Sequence, residues 1–142
     1  MNPKAVAIAF VALSALGSFG MTACAASAAP QLPENAQRLA GPEIAQLLSN
    51  RSFKFVVHDT GFEAYGTSTW DPQQHVVYGD VVWGSFFRGP WRKEWKVTDT
   101  HSCFRDRGVE KWDCYRIYVD GTTHYEVRDE GVIHSVHTPL GN

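Results

Sequence analysis

Hydrophobic and polar side chains alternate with a period of two along most of the chain after Ser52. These stretches are rich in β-branched and aromatic residues and are broken at short intervals by Gly, Pro and Asp, a pattern typical of half-buried antiparallel strands. The first four predicted strands cover residues 53–57, 62–70, 75–83 and 91–97. With the carboxyl-terminal part included, the pattern predicts a mainly β fold of about eight strands, an antiparallel meander or small barrel, with a two-sheet sandwich as the alternative.

One short amino-terminal helix is predicted ahead of the strands. Gly41 can serve as its N-cap, and Pro42 occupies the first helical position. An apolar stripe follows at i, i+3 and i+4, and it consists of Ile44, Leu47 and Leu48. Asn50 is expected to end the helix in a left-handed conformation. Because so short a helix is unstable alone, its stripe must pack on the strands, where it would cover one end of the domain.

The clearest turn signals lie in the carboxyl-terminal part of the chain. The dipeptide Asp120-Gly121 predicts a two-residue type I′ hairpin, which would place Ile117 opposite His124. A second turn at residues 129–131 leads into a predicted strand over residues 132–136. These strands would complete the antiparallel meander.

The first 28 residues have a different composition from the rest of the chain. Lys4 precedes an uncharged, apolar run over residues 5–21, and small residues follow, which together are typical of a secretory signal. The run is too short and too rich in Ala and Gly to favour a membrane-spanning helix. The sequence therefore divides into a secretion signal, residues 1–28, a flexible lead-in, residues 29–38, and a single β domain, residues 39–142.

Two processing routes remain open for this signal. Residues 26–28 fit the A-x-A rule of signal peptidase, and cleavage after Ala28 would release a periplasmic or secreted protein. Residues 21–24 also resemble a lipobox, in which Cys24 would be acylated and would anchor the domain to a membrane as a lipoprotein. Met21 stands where bacterial lipoproteins usually have Leu, which favours the first route.

The cysteines predict one disulfide bond. Of the three in the chain, Cys24 belongs to the signal, so Cys103 and Cys114 remain as an even pair in a protein bound for an oxidising compartment. They are almost equally distant from the centre of a predicted loop at residues 106–110, which places them opposite each other on an antiparallel pair. A bridge across so short a loop would contribute about 3 kcal/mol to stability.

Several short motifs follow one another along the β domain. They are residues 39–44 at the helix start, Tyr65-Gly66, Gly89-Pro90-Trp91, Cys103 and Cys114-Tyr115. In this order the chain resembles a group of small exported proteobacterial domains of unknown function with a lipocalin-like β-barrel build. The resemblance covers about residues 39–127 and departs from the group at residues 106–111, where the loop is unusually charged. It implies a fold and an exported location, and it implies no activity.

Five tryptophans are many for a domain of this size. They would either fill the core, because aromatic side chains bury large areas, or wall a cavity that holds one apolar ligand. We take Trp91, Trp95 and Trp112 as candidate ligand contacts. Arg116 joins them, because strand alternation places it on the face of Trp112, where it would stack on an aromatic ring or bind an anionic group. The alternative for Arg116 is a solvated outer face.

No catalytic or metal-binding motif stands out. The serines lack the context of a nucleophile elbow, and most carboxylates lie in predicted turns, whose chemistry explains them. The six histidines of the chain are candidate metal ligands. However, His134 and His137, which are three residues apart, would face opposite sides of a strand. We therefore predict no catalytic residues, no metal ligands and no cofactor.

These observations favour a non-enzymatic periplasmic binding or envelope-accessory domain, which takes a small apolar ligand or contacts another envelope protein. The net charge of −2 without a basic face argues against a nucleic-acid partner, and a membrane partner is expected only if Cys24 is acylated. Two alternatives remain. A hydrolase acting on envelope material needs two carboxylates, or a histidine and a carboxylate, converging in a cleft. A metal-binding protein needs three histidines near one point.

Overall fold

The structure is a computed structural model, and it describes residues 29–141. The predicted signal, with Cys24 and the Ala28 cleavage site, lies outside the described residues, as does Asn142. Export and lipidation therefore stay predictions. Across residues 29–141, no helix has the length and apolar character needed to span a bilayer.

The described chain contains one helix and nine strands. In chain order they are β1 Gln37–Arg38, α1 Gly41–Leu48, β2 Ser52–Val57, β3 Ala64–Asp71, β4 Val76–Trp83, β5 Phe87–Val97, β6 Ser102–Arg105, β7 Asp113–Asp120, β8 Thr123–Val127 and β9 Ile133–Pro139. The strand boundaries lie within a few residues of those that the alternation predicts.

Strands β2 to β9 form a closed barrel of eight antiparallel strands. Each strand pairs with the next along the chain, and β9 returns to pair with β2. Closure gives each of these eight strands a neighbour on both sides, which reduces the exposed backbone groups that an open sheet would present. The prediction of a mainly β fold with a small barrel and one short helix is confirmed.

Strand β1 is a short addition to the barrel. Gln37 lies opposite Val119, and Arg38 lies opposite Tyr118, so these two residues extend β7. Leu39 then donates its backbone N–H to the Ile117 carbonyl oxygen at 2.9 Å. The chain therefore joins the barrel inside the segment 29–38 that the sequence assigns to a lead-in.

Helix α1 begins one residue earlier than its sequence indicates. Ala40, and not Gly41, is the N-cap, and its backbone N–H donates to the Glu43 carboxylate at 2.8 Å. Gly41 is instead required for close packing, because a Cβ there would collide with the Thr98 carbonyl oxygen. At the other end Asn50 has φ 58°, so the predicted left-handed termination is confirmed.

The helix closes one end of the barrel. Ile44 and Leu48 are fully buried and project from α1 into the barrel interior. The core they join consists of Phe53, Trp70, Val77, Trp95 and Ile117. The apolar stripe therefore packs as predicted, and the closed end of the barrel is filled by the chain's own side chains.

The hairpin between β7 and β8 differs in register from the prediction. Gly121 and Thr122 form the two-residue turn, and Ile117 lies opposite Glu126 rather than His124. Of the two turn residues only Gly121, with φ 59°, has a positive φ, which is the pattern of a type II′ turn and not of type I′. Because the register moves by two residues, the side chains keep the faces that the alternation assigns to them.

The predicted disulfide bond is present. Cys103 of β6 and Cys114 of β7 are directly opposed and bonded, with their Cα atoms 4.1 Å apart. Their neighbours Phe104 and Tyr115 point into the barrel, so the bridge lies on its outer face.

Candidate functional site

A cavity of about 590 Å³ occupies the half of the barrel that α1 does not fill. Its mouth lies among the loops that join β2 to β3, β4 to β5, β6 to β7 and β8 to β9, at the end of the barrel opposite α1. The volume falls within the range of pockets that enclose one small organic molecule. The interior therefore divides into a filled half and a hollow half.

One wall of the cavity is aromatic. Its rings are Phe55, Trp83, Phe87, Trp91 and Phe104. The Trp91 indole N–H donates to the Thr67 carbonyl oxygen at 3.0 Å, and the Phe55 ring stands edge-on to the indole with centroids 5.7 Å apart. These contacts fix the indole in place, so a ligand would meet a preformed apolar surface.

The opposite wall is polar, and its deepest part is formed by Glu126, Ser135 and His137. Together with His124, which lies behind His137, they form a buried group that we term the inner polar cluster. The Ser135 hydroxyl donates to Glu126 Oε2 at 2.6 Å. Because that hydroxyl proton is used, His137 must donate through Nε2 to Ser135 Oγ, 2.8 Å away. The His124 ring stacks on His137 with centroids 4.3 Å apart and so supports it from behind.

The surroundings keep Glu126 ionised. Burial alone would raise the pKa of its carboxyl, but the charge and hydrogen bonding of His137 and the Ser135 hydroxyl outweigh burial and lower the pKa to about 2. For His124 the opposite form is favoured, because burial and the neighbouring His137 hold the pKa of its ring well below the usual value. The cluster therefore holds a carboxylate beside a neutral imidazole.

The inner polar cluster also contains unpaired polar atoms. Among the described residues, five buried side-chain nitrogen or oxygen atoms have no hydrogen-bond partner, and four of them belong to His124, Glu126 and His137. Each such atom costs roughly 1–3 kcal/mol when nothing replaces its contact with water. Glu126 and His137 line the cavity, so their unpaired atoms lie where a ligand or water would satisfy them.

A second polar group, the mouth polar cluster, consists of Asp59, Arg128 and His134. Asp59 accepts hydrogen bonds from Arg128 Nε at 2.5 Å and from His134 Nδ1 at 2.7 Å. Partial burial would raise the pKa of Asp59, but these two partners outweigh it and lower the pKa. The His134 ring stacks on Tyr115 with centroids 4.4 Å apart, which fixes its plane.

A β-bulge corrects the expectation that His134 and His137 face opposite sides of their strand. Val127 pairs with Ile133, whereas Glu126 pairs with Ser135, so His134 is an extra residue in β9. Such an insertion re-aims the side chains that follow it. Both histidines therefore line the cavity.

The predicted ligand contacts are not brought together. Trp91 lines the cavity, whereas Trp95 belongs to the core beneath α1, where its indole N–H donates to Ser102 Oγ at 3.2 Å. Trp112 contacts the Lys96 ammonium, 4.2 Å from its ring, and is not among the residues that line the cavity. Trp95 and Trp112 therefore do not share the lining of this cavity with Trp91.

Arg116 also lies away from the cavity. It shares the outer face with Cys114, as the alternation predicts, and its Nε lies 2.9 Å from Asp129 Oδ1. The separation fits an ion pair, although the direction of the N–H does not make a hydrogen bond. Asp129 also accepts from His101 Nε2 at 3.0 Å, so Arg116 takes part in a surface ion-pair network.

The polar residues do not form a metal centre or a serine-type triad. No group of three or more His, Cys, Asp or Glu side chains within residues 29–141 is placed to hold a metal ion. Ser135 and Glu126 both approach His137 through Nε2, and Nδ1 has no partner. In a nucleophilic triad the histidine uses one nitrogen for the serine and the other for the carboxylate.

Comparison with known proteins gives no match to a family model, to a curated protein or to a solved structure. A closed barrel is shared by many unrelated proteins, so the fold does not identify a family. The resemblance to small exported proteobacterial domains therefore stays a prediction.

Proposed function

We propose that this protein is a non-enzymatic binding protein that holds one small, mainly apolar ligand in its barrel, in the periplasm or outside the cell. The observation that carries the proposal is the cavity of about 590 Å³ behind a preformed aromatic wall. A core designed only for stability would close this space, because side chains that face a void lose their packing contacts. The other end of the same barrel is closed in that way.

Exposed apolar side chains at the mouth support the same proposal. Phe86 is 75% exposed, and its neighbour Phe87 is 49% exposed. Phe62 contacts both Trp83 and Phe86, with ring centroids 5.5 and 5.6 Å away. An apolar ligand would cross this aromatic rim on its way in. The sequence also predicts contact with another envelope protein as the alternative to a small ligand. That contact would occur at the same exposed rim.

The proposal is tested by titration with the neutral fluorescent probe N-phenyl-1-naphthylamine. We expect saturable binding to the purified protein and at least about tenfold weaker binding to Val81→Trp, because the larger side chain fills the cavity. Val82→Trp is the matched control, since Val82 is the next residue of β4 and points to the outer face.

Loss of binding in Val81→Trp alone would support the cavity as the site. Absence of saturable binding, or equal weakening in both variants, would overturn the proposal. Mass spectrometry of the protein purified from its native compartment provides a second measurement, and a co-purifying small molecule is the expected result.

A second candidate, a hydrolase acting on envelope material, is favoured by one observation. Asp59 holds His134 through Nδ1, which is how a carboxylate orients an imidazole that acts as a general base. Turnover of short acyl esters that disappears in His134→Ala would support a hydrolase. Intact esters in the presence of wild-type protein would remove this candidate and leave binding as the function.

A further inference from the structure

Glu126 presents a buried hydrogen-bond acceptor to the cavity that no side chain satisfies. Glu126 is 2% exposed and lines the cavity, and its Oε1 has no partner, while Oε2 is occupied by the Ser135 hydroxyl. His137 approaches the same occupied oxygen, with its Nε2 3.4 Å from Oε2. A ligand that reaches Glu126 must therefore offer a hydrogen-bond donor to Oε1.

The lysine and the arginine that line the cavity both lie beside carboxylates. Arg128 is bonded to Asp59, and the Lys93 ammonium lies 3.4 Å from the Asp106 carboxylate. Since both lysine and arginine have carboxylate partners, neither is free to bind an anionic ligand. Glu126 is therefore the buried carboxylate of the cavity lining that no lysine or arginine pairs with.

The aromatic wall also favours a positively charged ligand. The face of an aromatic ring carries negative electrostatic potential, and it attracts a cation that lies within about 6 Å of the ring centroid. Apolar walls around a carboxylate suit a ligand with an apolar body and one cationic group. An anionic ligand would meet both the ring faces and Glu126 with repulsion.

We propose that the ligand is an apolar amine, whose protonated nitrogen donates to Glu126 Oε1 while its apolar body lies against the aromatic wall. Glu126 lies opposite Ile117, a residue of the core beneath α1, so the amine binds at the closed end of the cavity. The apolar body then extends towards the mouth. This inference rests on the proposed function and names the chemical class of the ligand.

The test compares three ligands of equal chain length: octylammonium, octanol and octanoate. Each ligand is titrated into the complex of wild-type protein and N-phenyl-1-naphthylamine at neutral pH. Its affinity is measured from the displacement of the probe. We expect octylammonium to bind about ten- to one-hundred-fold more tightly than octanoate, with octanol between them, because only the ammonium gives a charge-assisted bond to Glu126. In Glu126→Gln the preference for the amine should fall to about threefold or less.

Glu110→Gln is the matched control, since it removes one negative charge from an exposed loop residue that does not line the cavity. It should keep the wild-type preference. If the probe binds but octanoate or octanol equals or exceeds octylammonium, the inference is wrong while the proposed function stands. If the probe does not bind at all, the proposed function fails and the inference fails with it. The ligand series on wild-type protein decides the matter even if Glu126→Gln does not fold.

Discussion

The two ends of the barrel are built from the same alternating strands but are filled in opposite ways. At the end covered by α1, seven side chains between 0 and 4% exposed pack into a continuous apolar core. At the open end, inward positions of β8 and β9 carry Glu126, Ser135 and His137, and these side chains border a cavity. The difference teaches that one short helix decides how much of a small barrel is core and how much is available to a ligand.

Strand β2 crosses the boundary between the two halves. Phe53 is 1% exposed and belongs to the core beneath α1, while Phe55, two residues later on the same face, is 8% exposed and lines the cavity. At this boundary Phe53 contacts a polar side chain, because the His124 ring stands edge-on to it with centroids 4.6 Å apart. Two phenylalanines on the same face of one strand thus lie in different surroundings, one in a packed core and the other beside a cavity.

The largest effect is expected from Phe53→Ala. Removal of a ring from a closely packed core should lower the free energy of unfolding by about 3–5 kcal/mol. Phe55→Ala should cost about 1–2 kcal/mol less, because its ring already borders open space and loses fewer contacts. Urea unfolding of the two variants beside wild type measures the difference. Equal losses would show that the open half is packed as firmly as the closed half.

A smaller effect is expected from acid, and it arises in the open half. The folded-state pKa of Glu126, about 2, lies below the ordinary value of 4.5, so its stabilisation is present above about pH 4.5 and is lost as the pH falls towards 2. By linkage this loss amounts to about 3 kcal/mol. In Glu126→Gln the fall in stability over this pH range should be smaller, as measured by urea unfolding at each pH.

His124 acts over a higher pH range in the same direction. Because the folded state holds the pKa of its ring well below 6.5, the unfolded chain takes up a proton first as the pH falls below 6.5. Stability should therefore already decline between about pH 6.5 and 4.5, before Glu126 titrates. His124→Leu, of similar volume, should flatten this part of the profile, and an unchanged slope would contradict the assignment.

The smallest effect on stability is expected from Phe86→Ala at the aromatic rim. This ring is 75% exposed, so its loss should change the free energy of unfolding by no more than about 0.5 kcal/mol. A large loss of stability would show that the rim belongs to the folded core. The two ends of the barrel would then differ less in packing. The same unfolding measurement, beside Phe53→Ala, checks this prediction.

The sequence predicts the barrel well because alternation and turn residues act locally. The inward face of β2, the apolar stripe of α1 and the opposition of Cys103 and Cys114 all follow from spacing along the chain. The turn at Gly121 was displaced by one residue, since both Asp-Gly and Gly-X dipeptides form two-residue hairpins. A local pattern cannot choose between them when the flanking strands fit either register.

The candidate site was harder to predict, because it depends on side chains from distant strands. The sequence places Asp59 in a turn, which accounts for an aspartate there, although Asp59 binds Arg128 and His134 across the mouth. One signal was available: His124, Glu126 and Arg128 recur at every second position, so a polar face runs along β8. That this face points inward follows only from closure of the barrel, and the bulge at His134 has no sequence signature.

The pairing of β9 with β2 also governs how the chain can fold. Every other barrel pairing joins strands that follow one another, whereas this one joins the two ends of the barrel sequence. Such a contact must wait until a long loop closes, and structures that depend on distant pairings fold slowly. Until this pairing forms, β2 and β9 each expose an unpaired edge. We therefore expect the protein to be most prone to aggregate before this step.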